Sequence, residues 1–305
     1  MTYSIVALDR ETGDLGVGVQ THQPSVGAIV PWVSPGVGAV ATQAMANIDL
    51  GPRALAVMER GLSAERALTA VLAADPGAAI RQVGVVDANG STAAHTGDGT
   101  LFYASHCTGD GYSAQANMMM DEGVPEAMAA AFEGSKGLLA SRILTALEAG
   151  EGAGGDIRGM QSAAILVRPP DPMHVEHHWD LRIDNDPAPL VALRGLVHLR
   201  LADQIMIAAE AAAKGAREAG TSADEILAAA NEALAEAEAL YPSDEQTFWF
   251  AVSVLANGVG DLDAAAQQLM PLFERAPQWR ALLHRLTGDF GNAELSARFD
   301  NERSS

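Results

Sequence analysis

Cysteine is almost missing from this chain: Cys107 stands alone among 305 residues. No intrachain disulfide can form, which fits a reducing cytoplasm. Lysine is nearly as scarce, with only Lys136 and Lys214, and the formal charge is −20. The acidic excess is spread along the chain. Nucleic acid and anionic lipid both select for basic patches, so neither is expected as a partner. No run of about 18 apolar residues occurs, and no charged segment followed by an apolar stretch opens the chain, so neither a membrane span nor a leader is expected. Phosphate-binding signatures are absent too. Gly13 to Gly18 joins two strands without opening a helix, there is no Gly-Lys-Ser/Thr sequence, and no Gly-x-Ser-x-Gly elbow exists. These absences point to a soluble, cytoplasmic protein, and no cofactor is expected.

What is present begins at the first residues. Thr2 to Leu8 and Leu15 to Thr21 are apolar, β-leaning runs joined by a polar loop ending in Gly13, the pattern of a hairpin. A hydroxyl residue directly after the initiator Met allows that Met to be removed. Thr2 would then carry both a nucleophile and its own basic amine. Val26 to Val33 and Val37 to Ala44 are predicted as further strands, with Ser34-Pro35-Gly36 as their turn. Gly51-Pro52 opens a helix whose apolar positions run from Leu55 to Leu72. Arg81 to Asp87 and Ser91 to Gly97 flank an Asn89-Gly90 turn, a hairpin signal. Tyr112 to Met118 is predicted as a strand and His106 to Gly111 as a loop. Helix is predicted from Pro125 to about Glu148, with a break near Gly134, followed by the glycine-rich connector Gly150 to Gly155. Gln161 to Val167 and Val175 to Ile183 return to strand, and from about Pro187 the chain is helix-forming. Hydrophobic residues make up 48% of the whole, enough for a proper core. Antiparallel hairpins alternating with helix pairs predict an α+β fold with stacked sheets between helical layers.

The C-terminal third has a different texture. Residues 206 to 240 are rich in Ala and Glu without β-branched runs. Phe248 to Leu255, Gly260 to Ala265, then Leu269, Phe273, Pro277 and Trp279 resemble one tetratricopeptide-type helix pair. One such unit cannot bury its apolar face alone, so it is expected to pack on the long helices or on a second subunit. The expected division is residues 1–205 for the α+β domain and 206–305 for the helical region.

Several polar groups could carry chemistry. His174 and His178 would share one strand face with Glu176, a conceivable metal site, but no second ligand cluster has matching spacing, and no metal is expected. Thr42 and Gln43 with Asn47, His95-Thr96-Gly97, and Asp156 to Ser162 are polar clusters at strand ends. Amides and hydroxyls there suit substrate hydrogen bonding and stabilisation of an oxyanion.

The segments Met1 to Ala7, Gly36 to Ala44, Asn47 through Arg53, Arg81 to Asp87, Ala94 to Gly97, Gln115 to Met118, Gly155 to Ala164 and Asp180 to Pro187 resemble, in order, the family called domain of unknown function 1028. The resemblance covers about residues 1 to 200. That family is grouped with the N-terminal nucleophile hydrolases, which implies a four-layer αββα sandwich. The resemblance extends loosely to proteasome β subunits, with Thr at the start of the first strand. Here the chain departs: Gln20, Thr21 and His22 stand where that pattern has an acidic residue, and no lysine precedes Lys136. The base would have to be the Thr2 amine, His22 or His95.

The resulting expectation is an amidohydrolase acting on a small amide or cyclic amide. Thr2 is the nucleophile, with Thr42 polarising the carbonyl and His95 assisting proton transfer. Gln43, Asn47, Thr96, Asn117, Gln161 and Ser162 are the expected substrate-binding residues, and Arg158 or Arg182 would hold a substrate carboxylate. A homo-oligomer is expected. The rival is a non-catalytic αββα scaffold that oligomerises and binds a protein partner through the C-terminal helical repeat.

Overall fold

A computed structural model describes residues 2–101, 103–283 and 293–299. The chain is a mixed α+β protein divided into two compact units, Met1–Val197 and His198–Ser305.

In the first unit, β1 (Thr2–Leu8) pairs antiparallel with β2 (Leu15–Thr21). Local chemistry makes that turn. Asp9 Oδ1 accepts the Glu11 amide at 2.9 Å, and Gly13 takes φ +78°, a left-handed conformation that suits glycine. The other strands are β3 (Pro31–Ser34), β4 (Gly38–Ala44), β5 (Arg81–Asp87), β6 (Thr92–Thr96), β7 (Ser105–Gly109), β8 (Tyr112–Asn117), β9 (Ser162–Arg168) and β10 (Trp179–Ile183). They form two antiparallel sheets, β10-β9-β2-β1-β8-β7 and β3-β4-β5-β6. At the β5–β6 turn, Asp87 Oδ1 accepts the Asn89 and Ser91 amides at 2.9 and 3.0 Å, and Gly90 has φ +84°.

Every residue of β1 and β2 is buried. One face meets the other sheet: Val6, Val17 and Val19 form a core with Ala39, Ala41 and Val86. The opposite face of the first sheet lies under α4 (Leu139–Gly152), which follows α3 (Val124–Gly134). A Cβ on Gly18 would stand 2.2 Å from Ile143 Cγ2, so glycine there lets the helix sit directly on the strand. The outer face of the second sheet, with Val40, Val83 and Val85, packs on Leu50, Ala54 and Met58 of α1 (Leu50–Glu59) and on Ala67, Leu68 and Val71 of α2 (Ala64–Ala73).

The structure corrects several expected elements. Val26–Ala28 is a 3-10 turn and not strand; Val26 N is taken by Ser162 Oγ at 3.2 Å, and the strand starts only at Pro31, on the sheet edge where a missing N–H costs nothing. Residues 51 to 72 form two helices because Gly61 turns left-handed at φ +86°. The expected loop at His106 to Gly111 contains β7, with Asp110 and Gly111 alone as its turn to β8. The expected strand from Val175 starts only at Trp179, and Val175–His177 is a 3-10 turn.

In the second unit, the later part of α5 (Pro189–Glu218) packs against α6 (Ala223–Leu240) and α7 (Asp244–Ser253) through Ala202, Met206, Ala230 and Phe250. Ser222 and Glu225 make a reciprocal capping box at the start of α6. A π-helical turn, Val254–Val259, leads to α8 (Leu262–Arg275) and α9 (Gln278–Leu283), whose core includes Val252, Leu269, Phe273 and Leu283. Among the described residues, no helix is long and apolar enough to cross a membrane.

Candidate functional site

Thr2 opens β1 in register with Thr21 on one side and Asn117 on the other. Its side chain therefore enters the layer between the two sheets, where it is 6% exposed. The hydroxyl donates to Thr21 Oγ1 at 3.0 Å. The Thr2 carbonyl accepts Gln43 Nε2 and Asn117 Nδ2, each at 3.2 Å. Met1 lies outside the described residues.

Around Thr2 the inter-sheet layer turns from apolar to polar. Gln43 Nε2 donates to Gln82 Oε1 at 2.7 Å, and the same oxygen accepts Asn117 Nδ2 at 2.9 Å. Gln82 Nε2 donates to Thr96 Oγ1 at 2.9 Å and to Ala116 O at 2.8 Å. Ser4 links the two sheets, donating to Gln43 Oε1 at 2.7 Å and accepting Gln115 Nε2 at 2.6 Å. Gln43, Gln82 and Gln115 are fully buried. An unpaired amide there would cost about 1–3 kcal/mol, so their mutual bonding lets a polar layer replace an oily one. Gly84 makes room for it: a Cβ there would lie 2.1 Å from Gln115 Oε1.

The network ends at His106, whose Nδ1 lies 2.9 Å from Thr96 Oγ1. With the imidazole neutral, that nitrogen can accept the Thr96 hydroxyl proton. Burial, with nearby His95 adding to it, pushes the His106 pKa down in the same sense. On the opposite face of β1, Tyr3 OH donates to Glu151 Oε2 at 2.9 Å. Burial first, then the Glu151 charge, raises the Tyr3 pKa well above its usual value, and burial also raises that of Glu151.

The expected site residues divide by face. Gln43, Thr96 and Asn117 join the Thr2 layer, where Gln43 and Asn117 donate to the Thr2 carbonyl and Thr96 accepts from Gln82. Thr42 and His95 both pair in register with Val83, which packs against the helices. Period-two geometry therefore turns them away from Thr2. Thr42 Oγ1 donates to Asn47 O at 3.2 Å, and His95 Nε2 lies 2.8 Å from Ala78 O. Asn47 instead joins Asp75, donating through Nδ2 at 3.4 Å. The guanidinium of Arg81, 2.8 Å away, holds the Asp75 carboxyl down to about 2. Arg158 is held by the buried carboxylate of Asp156, which also accepts His22 N at 3.1 Å. Arg182 is held by Asp180 at 2.6 Å, Gln161 donates to Asn185 at 2.9 Å, and Ser162 bonds the Gln23 carbonyl.

The histidine group does not assemble either. His177 Nδ1 lies 2.6 Å from Asp14 Oδ2, while His174 Nδ1 turns to Glu176 at 2.9 Å. Among the described residues, no group of three His, Cys, Asp or Glu side chains is placed to hold a metal.

Beside Asn117 lies a cavity of about 90 Å³, bordered by Ala44, Met45, Ile80, Leu101, Asn117 and Met118. Ala44, the last residue of the strand bearing Gln43, and Met118, which directly follows the strand bearing Asn117, both have left-handed backbones, at φ +69° and +55°. Non-glycine residues pay for such conformations, and such strain gathers at functional sites. Ser4, Gln82 and Gln115 were missed as site residues. Their only signal is an amide or hydroxyl on the buried face of an otherwise apolar strand.

The chain is similar to known proteins. The family model described as a family of unknown function, DUF1028, matches residues 2–193. The crystal structure of protein SPO2555 from Silicibacter pomeroyi, of the same family model, is similar at 36% identity and a TM-score of 0.60, covering 64% of this chain and 84% of that one. No curated protein matches the chain. With the family model spanning well over half of its length, the chain belongs to the DUF1028 family.

Proposed function

We propose that this protein is an amidohydrolase of the N-terminal nucleophile type, built on an αββα sandwich, that cleaves a C–N bond in a small amide or cyclic amide. The observation that carries this reading is the placement of Thr2. It stands at the start of a central strand, its carbonyl held by Gln43 and Asn117 and its hydroxyl beside Thr21, and its register partner Asn117 borders a small cavity edged by the left-handed residues Ala44 and Met118. Removal of Met1 would free the Thr2 amine as base, the role that His95 cannot take from the opposite sheet face. The hydroxyl would add to the substrate carbonyl, the amine would accept its proton and return it to the departing nitrogen, and water would then release the acyl group from the ester. A substrate carboxylate meeting Arg158 or Arg182 would compete with Asp156 or Asp180. We place this activity in a cytoplasmic homo-oligomer.

The test is the mass of the purified protein together with turnover of a panel of small linear and cyclic amides. Loss of Met1, and a fall of roughly a thousandfold in Thr2→Ala, is expected. Retained Met1 or unchanged turnover in that variant overturns Thr2 as nucleophile.

The burial of Thr2 and the half-buried Trp249 and Trp279 favour a second reading, a non-catalytic scaffold that binds a protein partner through a tetratricopeptide-like helix pair. An absence of turnover in the wild type, with Met1 removed, would select it.

A further inference from the structure

We infer that the helical unit carries a binding site for an organic cation. A cavity of about 550 Å³ is walled by Phe248, Trp249 and Trp279, with Asp244, Glu245 and Arg275 also on its lining. That volume is in the range of small-molecule sites. The Phe248 and Trp249 rings stand edge to face at 5.3 Å between centroids, and Trp249 and Trp279 are tilted by 52° at 5.2 Å. Trp249 comes from α7 and Trp279 from α9, so packing of the repeat brings the rings together. All three aromatic side chains are half-buried and not sealed in the core.

Charge selects the ligand. Asp244 and Glu245 supply two negative charges against one positive charge from Arg275. They lie in the first turn of α7, where the helix end opposes a cation with only about half a charge. The balance stays negative, and the whole chain at −20 adds to it. Aromatic faces attract cations through their quadrupole, most strongly when the cation is weakly hydrated. Aromatic walls with a carboxylate rim therefore suit an alkylammonium, quaternary ammonium or guanidinium group on an apolar stem. A free amine or a lysine or arginine side chain of a peptide supplies that chemistry. The inference rests on the second reading only for its location, and is independent of Thr2.

The experiment is calorimetric titration of the full-length protein with choline, agmatine, an end-blocked Lys/Arg tetrapeptide, and 3,3-dimethylbutanol, the uncharged isostere of choline. Cations should bind at least roughly tenfold tighter than the isostere. Asp244→Asn combined with Glu245→Gln, both exposed and away from the core, should weaken the cation by a similar factor. Trp279→Leu should abolish binding, and Arg275→Gln should strengthen it, most clearly at low salt. Preference for the tetrapeptide assigns the site to a protein partner and preference for choline or agmatine to a free metabolite; both support a cation site. Equal binding of the isostere overturns it while leaving an apolar partner surface intact. No binding of any probe, or unchanged binding in the double variant, also overturns it.

Discussion

At the scale of single residues, buried glutamines behave oppositely according to what they touch. Gln82 has both ends of its amide bonded, to Thr96, Ser105 and Ala116 through Nε2 and from Gln43 and Asn117 at Oε1. Gln20 is equally buried, on the other face of the first sheet, yet neither its Nε2 nor its Oε1 has a partner among the described residues. Net stabilisation per bond is only about 1 kcal/mol, but stranding a buried partner costs about 1–3 kcal/mol more. Gln82→Leu should therefore destabilise the protein by about 3 kcal/mol, whereas Gln20→Leu should be neutral or stabilising. Urea denaturation of the two variants checks this, and equal losses would contradict the account. Sequence alone shows a glutamine in an apolar strand at both positions. It does not show which strand faces which, and that decides whether an amide finds another amide.

Among elements, short-range chemistry was legible and long-range chemistry was not. Asp9 to Gly13 and Asp87 to Gly90 carry their own side-chain acceptors and left-handed glycines, so both hairpins could be read locally. Val26 to Val30 has the same alternating look as a strand, but Val26–Ala28 folds as a 3-10 turn, with distant Ser162 taking the Val26 amide and the Asp184 carbonyl taking the amide of Ser25 just before it. The loop following β4 is likewise pinned from afar. Arg81 of β5 pairs with Asp75 at 2.8 Å and also reaches the Met45 carbonyl. The Arg81 bond holds Asp75 at about 2, below the roughly 3.9 of an unfolded aspartate. A depressed folded value contributes stability that is complete above about pH 4 and fades as pH falls towards 2. Asp75→Asn should thus be less stable at neutral pH and lose less on acidification over that window. Denaturation midpoints against pH measure it, and parallel profiles for both proteins would refute the pair's part in acid sensitivity.

For the whole molecule, charge sets the expected behaviour. A chain at −20 repels itself, and raising salt from about 10 mM to 100 mM shortens the screening length from about 30 Å to about 10 Å. The melting temperature should rise by a few degrees over that range. A fall would mean that local pairs such as Arg158–Asp156 outweigh the net repulsion. Composition, turn residues and the family motifs by themselves determined the class of fold, the hairpin start and the placement of Thr2 in the first strand, because these rest on neighbours a few residues apart. Only the tertiary structure decided that Thr42 and His95 face the helices while Gln43, Gln82, Gln115 and Asn117 meet in the layer between the sheets, with Gln43 and Asn117 on the Thr2 carbonyl. It also decided that Trp249 and Trp279 share one cavity. Strand register and helix packing join residues far apart in the chain, and a shift of one residue along a strand exchanges its two faces.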